Sequence, residues 1–246
     1  MSLTLERQNA YRQRYAQLTP GWQPATEVYA FLIRQYLQSG MRVLDVGCGR
    51  GGVFEQLGAA VANPIGLDPD WQSLAEHRLH DLPRLVATAD HLPLENACLD
   101  MVLSSWVLEH LPDPDHTFAE TARVLKLGGY FLFITPNGHS LAASVNRLLR
   151  PLQHTLVPKL YGREEADTFK VMYRANSRRK LEQLAQKAGF EVVALRSIKD
   201  PTYFAFHPVL FRLSVWWSRV EPLGMAEHLV GVYRKVASPH QWAGRP

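Results

Sequence analysis

At 246 residues, with 46% apolar and 20% charged residues and a net charge of +4, the chain has the composition of a soluble globular protein, long enough for one large α/β domain or two small ones. It carries no low-complexity tract, no solenoid-period repeat and no apolar run near the ~20 residues of a membrane span, which sets aside fibrous, repeat and membrane-spanning classes. Its two cysteines, Cys48 and Cys98, lie far apart in apolar segments, so no disulfide framework is indicated and a reducing cytoplasm is the expected compartment. The start, MSLTLERQNAYRQRY, lacks the apolar stretch of a secretory signal.

In chain order, Tyr11, Arg14, Tyr15 and Trp22 mark an N-terminal helical segment, residues 1–40, that serves either as a lid over a ligand or as ordinary aromatic packing. ATEVYAFLIRQYLQSG follows Pro24 with helical apolar spacing and ends at Gly40, a helix stop. Met41 to Val46 reads as a buried strand that breaks into a glycine loop, and VFEQLGAA as the helix leaving that loop. NPIGLD is a second strand ending at Asp68, followed by the helix DWQSLAEHRL with Asp70 as its cap. PRLVATA gives a third strand and LDMVLSSW a fourth. After LPDPD, the amphipathic HTFAETARVLK forms a helix stopped by Gly128 and Gly129, and YFLFITP is a fifth strand.

An excursion over roughly 137–176 comes next, after which SRRKLEQLAQKAGF resumes a helix and FEVVALRSI makes a sixth strand. A second excursion, 199–227, precedes HLVGVYRKV, a final strand, and ASPHQWAGRP is a loose tail. Strands alternating with helices imply a mainly parallel sheet covered on both faces, with ligands bound at the carboxyl ends of the strands. Every motif below falls at such an end.

VLDVGCGRGG fits two cofactors. Gly47, Gly49 and Gly52 satisfy the dinucleotide fingerprint GxGxxG, whereas Asp45, Gly47, Gly49 and Gly51 satisfy DxGxGxG. Asp68, about 20 residues further on, serves either reading, because any adenosine ribose offers the same vicinal hydroxyls. No YxxxK pair of the short-chain reductase kind follows strand five.

Asp45 before the loop, Asp68 after strand two and then ADHLPLENACLDMVLSSWVLEHLPDP together resemble the class I S-adenosylmethionine-dependent methyltransferases, from about Leu44 to Pro136. KLEQLAQKAGFEVV and HLVGVYRKV carry weaker echoes. The resemblance implies an α/β, doubly wound, mainly parallel seven-stranded Rossmann-like sheet with an antiparallel last strand and helical insertions after strands 5 and 6. The domain would span 41–246, with insertions at about 137–176 and 199–227. S-adenosyl-L-methionine is the implied methyl donor. The backbone at Gly47, Cys48, Gly49 and Gly51 would meet its methionine portion, Asp45 its amino group and Asp68 its ribose hydroxyls. Pro69 and Asp70 would flank the adenine, Ala89, Asp90 and Ser105 would line the rest of the cofactor, and Tyr15 would close over it. Thr88 stands where relatives commonly carry the aspartate of DAExLP, and Asp90 is the candidate to take over that contact. SSWVLEHLPD and TPNGH resemble quinone-pathway and small-molecule members.

Methyl transfer from a sulfonium is an in-line displacement, so alignment is the protein's main task and can supply ~7 to 11 kcal/mol of the barrier. His110, just past strand four, is the candidate general base, and a structural or capping histidine is the competing reading. Glu109 is expected at solvent or paired with an arginine. His77, His80, His116 and His139 show no metal-ligand spacing, so they read as surface residues and no metal is expected. Cys48 is expected to pack within the loop rather than act as a nucleophile. Neither GxSxG nor HExxH occurs.

The basic run Arg147, Arg150, Lys159, Arg163, Lys170, Arg174, Arg178, Arg179 and Lys180 suits an anionic substrate, a membrane surface or a solvated face. In the second excursion a helix from Pro208 places Val209, Leu210, Leu213, Trp216, Trp217 and Val220 on one broad face, fit for burial, an apolar-substrate pocket or a membrane interface. The expected acceptor is therefore a hydrophobic or aromatic small molecule or a lipid-like compound, with peripheral membrane contact through residues 203–220. Nucleic acid is not expected, since TPNG stands where base methyltransferases carry an NPPY-like tetrapeptide. An NAD-dependent oxidoreductase and a non-catalytic, membrane-associated cofactor-binding protein are the alternatives.

Overall fold

The apolar run RVLDV forms strand β1 (Arg42–Val46) inside a seven-stranded sheet. The structure, a computed structural model, describes residues 4–148 and 170–237. The other strands are β2 (Asn63–Asp68), β3 (Arg84–Val86), β4 (Leu99–Ser105), β5 (Leu125–Pro136), β6 (Phe190–Ile198) and β7 (His228–Lys235). Their order in space is β3-β2-β1-β4-β5-β7-β6, with β1 to β5 parallel and β7 antiparallel between β5 and β6. This is the mainly parallel sheet that the alternating elements predict, with the antiparallel last strand that the family resemblance implies.

Successive side chains on a strand face opposite ways, and the central strands are apolar on both. Leu44, Val102, Phe131 and Phe133 join one core with Phe118 of helix α5 (Pro114–Val124) and Leu181 and Leu184 of helix α7 (Arg178–Ala188). Val43, Met101, Leu103 and Leu132 join the other with Val28, Tyr29, Leu32 and Ile33 of helix α2 (Ala25–Tyr36) and with the short helix α3 (Val53–Leu57). A ring such as Phe118, fully buried, contributes about 1.5–3 kcal/mol by leaving water. The expected lid over residues 1–40 thus divides: α2 is core, and only α1 (Leu5–Leu18) stands away from the sheet.

Local departures from expectation have local causes. The helix expected over DWQSLAEHRL stops after five residues as α4 (Trp71–Ala75), although the Asp70 carboxylate caps it, accepting from Gln72 N and Ser73 N. Arg84 Nη1 takes the Leu74 carbonyl at 2.6 Å, and His77 Nδ1 accepts the Leu79 N–H at 3.1 Å, so tertiary partners replace the next helical turn. His77 is therefore buried, not a surface histidine. The helix expected to reach Lys126 ends at Val124, because Leu125 already pairs with Leu99 as the first residue of β5. Gly128, with φ +83°, lies within that strand.

Helix α6 (Leu141–Leu148) opens the first insertion; Arg150, Lys159 and Arg163 of the basic run lie outside the described residues. Lys180 of that run is spent internally, on Asp115 at 3.0 Å, and Arg178 pairs with Glu182 at 3.5 Å. Helix α8 (Pro208–Val220) fills the second insertion and packs on α1 through Phe211, Val215 and Ser218. Most of its broad apolar face points the other way: Val209, Leu210, Leu213, Trp216 and Val220 are exposed, whereas Trp217 at the edge of that face is half-buried. No described helix is long and apolar enough to cross a membrane.

Candidate active site at the carboxyl edge of the sheet

The strand order reverses direction between β1 and β4, the place where open α/β sheets bind ligands. The glycine loop leaves β1 there and is closed onto β2 by Gly47 N and Cys48 N, both donating to the Leu67 carbonyl at 2.7 and 3.1 Å. Gly47, at φ +78°, leaves no room for a side chain, since a Cβ would stand 2.2 Å from Val107 Cγ2. Gly49 and Gly51 also have positive φ, so the three glycines of DxGxGxG are each demanded by backbone geometry. Gly52, the third glycine of the dinucleotide fingerprint, has open space where its Cβ would be and does not serve the close helix–strand packing that fingerprint requires. The helix beyond is only five residues long, a poor seat for a pyrophosphate.

Asp68 ends β2 and clasps the loop: its Oδ2 accepts from Gly49 N at 3.0 Å and its Oδ1 from Asp70 N at 2.9 Å. Asp45 is buried, and burial together with the Asp68 carboxylate pushes its pKa up to about 8. One of its oxygens, Oδ1, has no hydrogen-bond partner among the described residues, which suits the arrival of a cationic group. Cys48 is buried with its sulfur against Gly66, where a Cβ would come within 2.8 Å, and burial raises its thiol to about 12, the wrong direction for a nucleophile. Pro69 is exposed, and Ala89 and Asp90 are half-buried past β3. The Thr88 hydroxyl bonds the Asp90 carboxylate and holds its pKa below the usual range, so the residue in the aspartate position supports its neighbour. Asp90, His91 and His116 bring three potential ligand atoms within 4.8 Å of one another, a proximity that spacing along the chain did not show; both histidines are solvent-exposed.

Beyond β4, which ends at Ser105, Trp106 adopts φ +61°, a conformation costly for an aromatic residue and characteristic of functional turns. Its ring meets His228 edge-on at 5.1 Å, and His228 Nε2 lies 2.8 Å from the Tyr203 hydroxyl. A 3-10 turn, Leu108–His110, follows. His110 is partly buried, its Nδ1 is 3.2 Å from the Lys170 carbonyl, and burial lowers its pKa from 6.5. With Nδ1 donating to that carbonyl, the ring's lone pair is on Nε2. Glu109 is not at solvent, and it pairs with no arginine among the described residues. It is buried, its Oε2 accepts from Thr135 Oγ1, and its backbone carbonyl accepts from Met172 N and Tyr173 N.

Tyr15 goes elsewhere than over the cofactor loop. It is buried between α1 and α8, its hydroxyl 3.1 Å from Ser218 Oγ and its ring edge-on to Trp22. What α1 does bring to the edge is Arg12, bonded to Asp200 Oδ2 at 2.9 Å. Asp200 N in turn donates to Glu227 Oε2 at 2.7 Å, beside His228 at the start of β7. This linkage was not read from the sequence, because its members are nearly 190 residues apart.

A family model described as a methyltransferase domain matches residues 44–133. A ubiquinone biosynthesis O-methyltransferase of Thiobacillus denitrificans is 31% identical over 164 residues, 64% of this chain and 67% of that protein. One of the same name from Cronobacter sakazakii is 36% identical over a shorter stretch, 40% of this chain and 43% of that protein. Among solved structures, the putative methyltransferase complexed with the Haloferax volcanii Trm112 activator superposes with a TM-score of 0.62 at 22% identity, covering 95% of each chain, a likeness of fold.

Proposed function

Since the chain belongs to the S-adenosylmethionine-dependent methyltransferases, we propose that it methylates a hydrophobic or aromatic small molecule, quinone-like or lipid-like, held at the carboxyl edge of β4 and β5. The observation that carries the acceptor class is the aromatic wall of Trp106, His228 and Tyr203 at that edge, with Trp106 held in a strained backbone conformation. The relatives named for ubiquinone biosynthesis point to the same class.

The donor supplies the activated methyl group on its sulfonium. In this reading Gly47, Cys48, Gly49 and Gly51 bring backbone close to its methionine portion, and Asp45 meets its amino group with the oxygen that is otherwise unpartnered. Asp68 keeps lone pairs for the ribose hydroxyls while its present bonds hold the loop in place. Pro69, Ala89 and Asp90 flank the adenine, and Ser105 lies where β4 meets the reacting end. His110 accepts the proton of an acceptor hydroxyl on Nε2; its lowered pKa keeps the ring neutral at physiological pH, as a base requires. Tyr15 has no part in this set.

The test is incubation of the protein with methyl-labelled donor and a panel of catechols, phenolic quinone precursors and aliphatic lipids. Label transferred to an aromatic hydroxyl supports the proposal. Donor binding with no transfer to any hydrophobic acceptor refutes it.

A further inference from the structure

The outward face of α8 is an exposed apolar feature of the described residues that methyl transfer leaves unused. Val209, Leu213, Trp216 and Val220 are 54%, 56%, 61% and 58% exposed, and Leu223, just past the helix, is 66% exposed. The spacing of four, three and four residues from Val209 to Val220 sets those four in one line, opposite the buried Phe211, Val215 and Ser218. The line is roughly 16 Å long at the rise of a helix. Arg212 and Arg219 flank Trp216 one turn to either side, both exposed and neither in an ion pair with any described residue. No acidic residue occurs from Pro208 to Val220, and Glu221, the next, is buried. On the neighbouring α1, Arg14 is exposed as well, against Glu6 alone among its acids.

We propose that α8 docks this chain on the surface of an anionic lipid bilayer, lying in the interface with Leu213, Trp216 and Val220 in the acyl boundary and Arg212 and Arg219 among the headgroups. The charge pattern selects this occupant. A second copy packed antiparallel on the same stripe would set Arg212 and Arg219 of one helix against those of the other, with no acid on either to pair them. An anionic surface pairs all of them at once. A tryptophan at the centre of the stripe suits the interface, where one end of its ring meets hydrocarbon and the nitrogen meets water.

Vesicle binding is read without donor or acceptor, so its failure and the failure of the methyl-transfer reading are distinguishable. The full chain is sedimented with vesicles of phosphatidylcholine alone and of phosphatidylcholine with phosphatidylglycerol, at low and high salt. Binding to the phosphatidylglycerol vesicles, falling with salt and accompanied by a blue shift of tryptophan emission, is expected. Trp216→Glu and, separately, Arg212→Gln with Arg219→Gln should each weaken it by roughly tenfold or more while leaving donor affinity unchanged. Three results overturn the proposal: no binding to either vesicle, equal salt-independent binding to both, or a dimer in sedimentation equilibrium that Leu213→Glu dissociates.

Discussion

Glu109 Oε2 accepts a 3.1 Å hydrogen bond from Thr135 Oγ1 across the carboxyl ends of β4 and β5, and Thr135 accepts in turn from Asn176 Nδ2 at 2.6 Å. Burial raises the Glu109 carboxyl to about 7 from its ordinary 4.5, so the folded protein holds that proton more tightly than the unfolded chain. The resulting stabilisation is complete below the unfolded pKa and is lost as pH rises through about 7. Glu109→Gln keeps an oxygen for Thr135 and cannot ionise. It should retain on the order of 1–3 kcal/mol that the wild type loses on going from acid to mildly alkaline pH. Melting curves across that range decide; identical pH profiles would contradict a neutral buried Glu109.

Thr135→Val keeps the shape of the side chain and removes the hydroxyl from both bonds. It leaves Glu109 Oε2 and a donor of Asn176 short of a partner in the interior, a loss of about 2 kcal/mol in denaturant unfolding.

Asp45, with its pKa near 8, is mostly protonated at neutral pH before the donor arrives. An ammonium group at Oδ1 favours the carboxylate, so binding should release a proton at pH below about 8 and tighten as pH rises toward that value. Calorimetry at neutral pH in buffers of different ionisation enthalpy measures the proton directly. Asp45→Asn should abolish the release and weaken binding; an unaltered release would move the amino group elsewhere.

For Asp68→Ala the structure adds a second consequence to loss of the proposed ribose contact. The Gly49 N–H loses its carboxylate partner, so donor affinity should fall at least tenfold, through about 1.5–3 kcal/mol of charge-assisted hydrogen bonding. Circular dichroism should show the sheet intact. Unchanged donor affinity would displace the ribose from Asp68.

His110→Gln should lower kcat by about 10²–10⁴ for an acceptor whose hydroxyl must lose a proton, with little change in donor KM. In the wild type the acid limb of the rate profile should lie below 6.5, because burial lowers the ring's pKa. An undiminished kcat would leave His110 a structural role through its bond to Lys170.

The strands were legible because a sheet covered on both faces needs continuous apolar runs, and RVLDV, LDMVLSS and FLFITP are such runs. The glycine loop was legible for a similar reason: a positive φ and a crowded backbone can be met by few residues besides glycine, as at Gly47. What the chain order hid were decisions made by partners far along it. Glu109 looks like a surface acid until Thr135 and Asn176 close on it, and Tyr15 looks like a lid until Ser218 takes its hydroxyl. DWQSLAEHRL has helical spacing throughout, yet Arg84 and the buried ring of His77 end its helix at Ala75. Helix α8 shows the converse: its apolar face was read correctly as a face, but periodicity does not say which side the rest of the molecule will occupy.

The place of β7 between β5 and β6 governs when this sheet can close. Both neighbours are synthesised first: β5 waits with one unpaired edge, and β6, whose only pairing is with β7, waits with no partner strand until His228–Lys235 leaves the ribosome. A nascent chain stalled before that point carries open strand edges on both β5 and β6 and is a natural client for chaperones. Truncation ahead of residue 228 should therefore yield aggregate rather than a smaller folded domain.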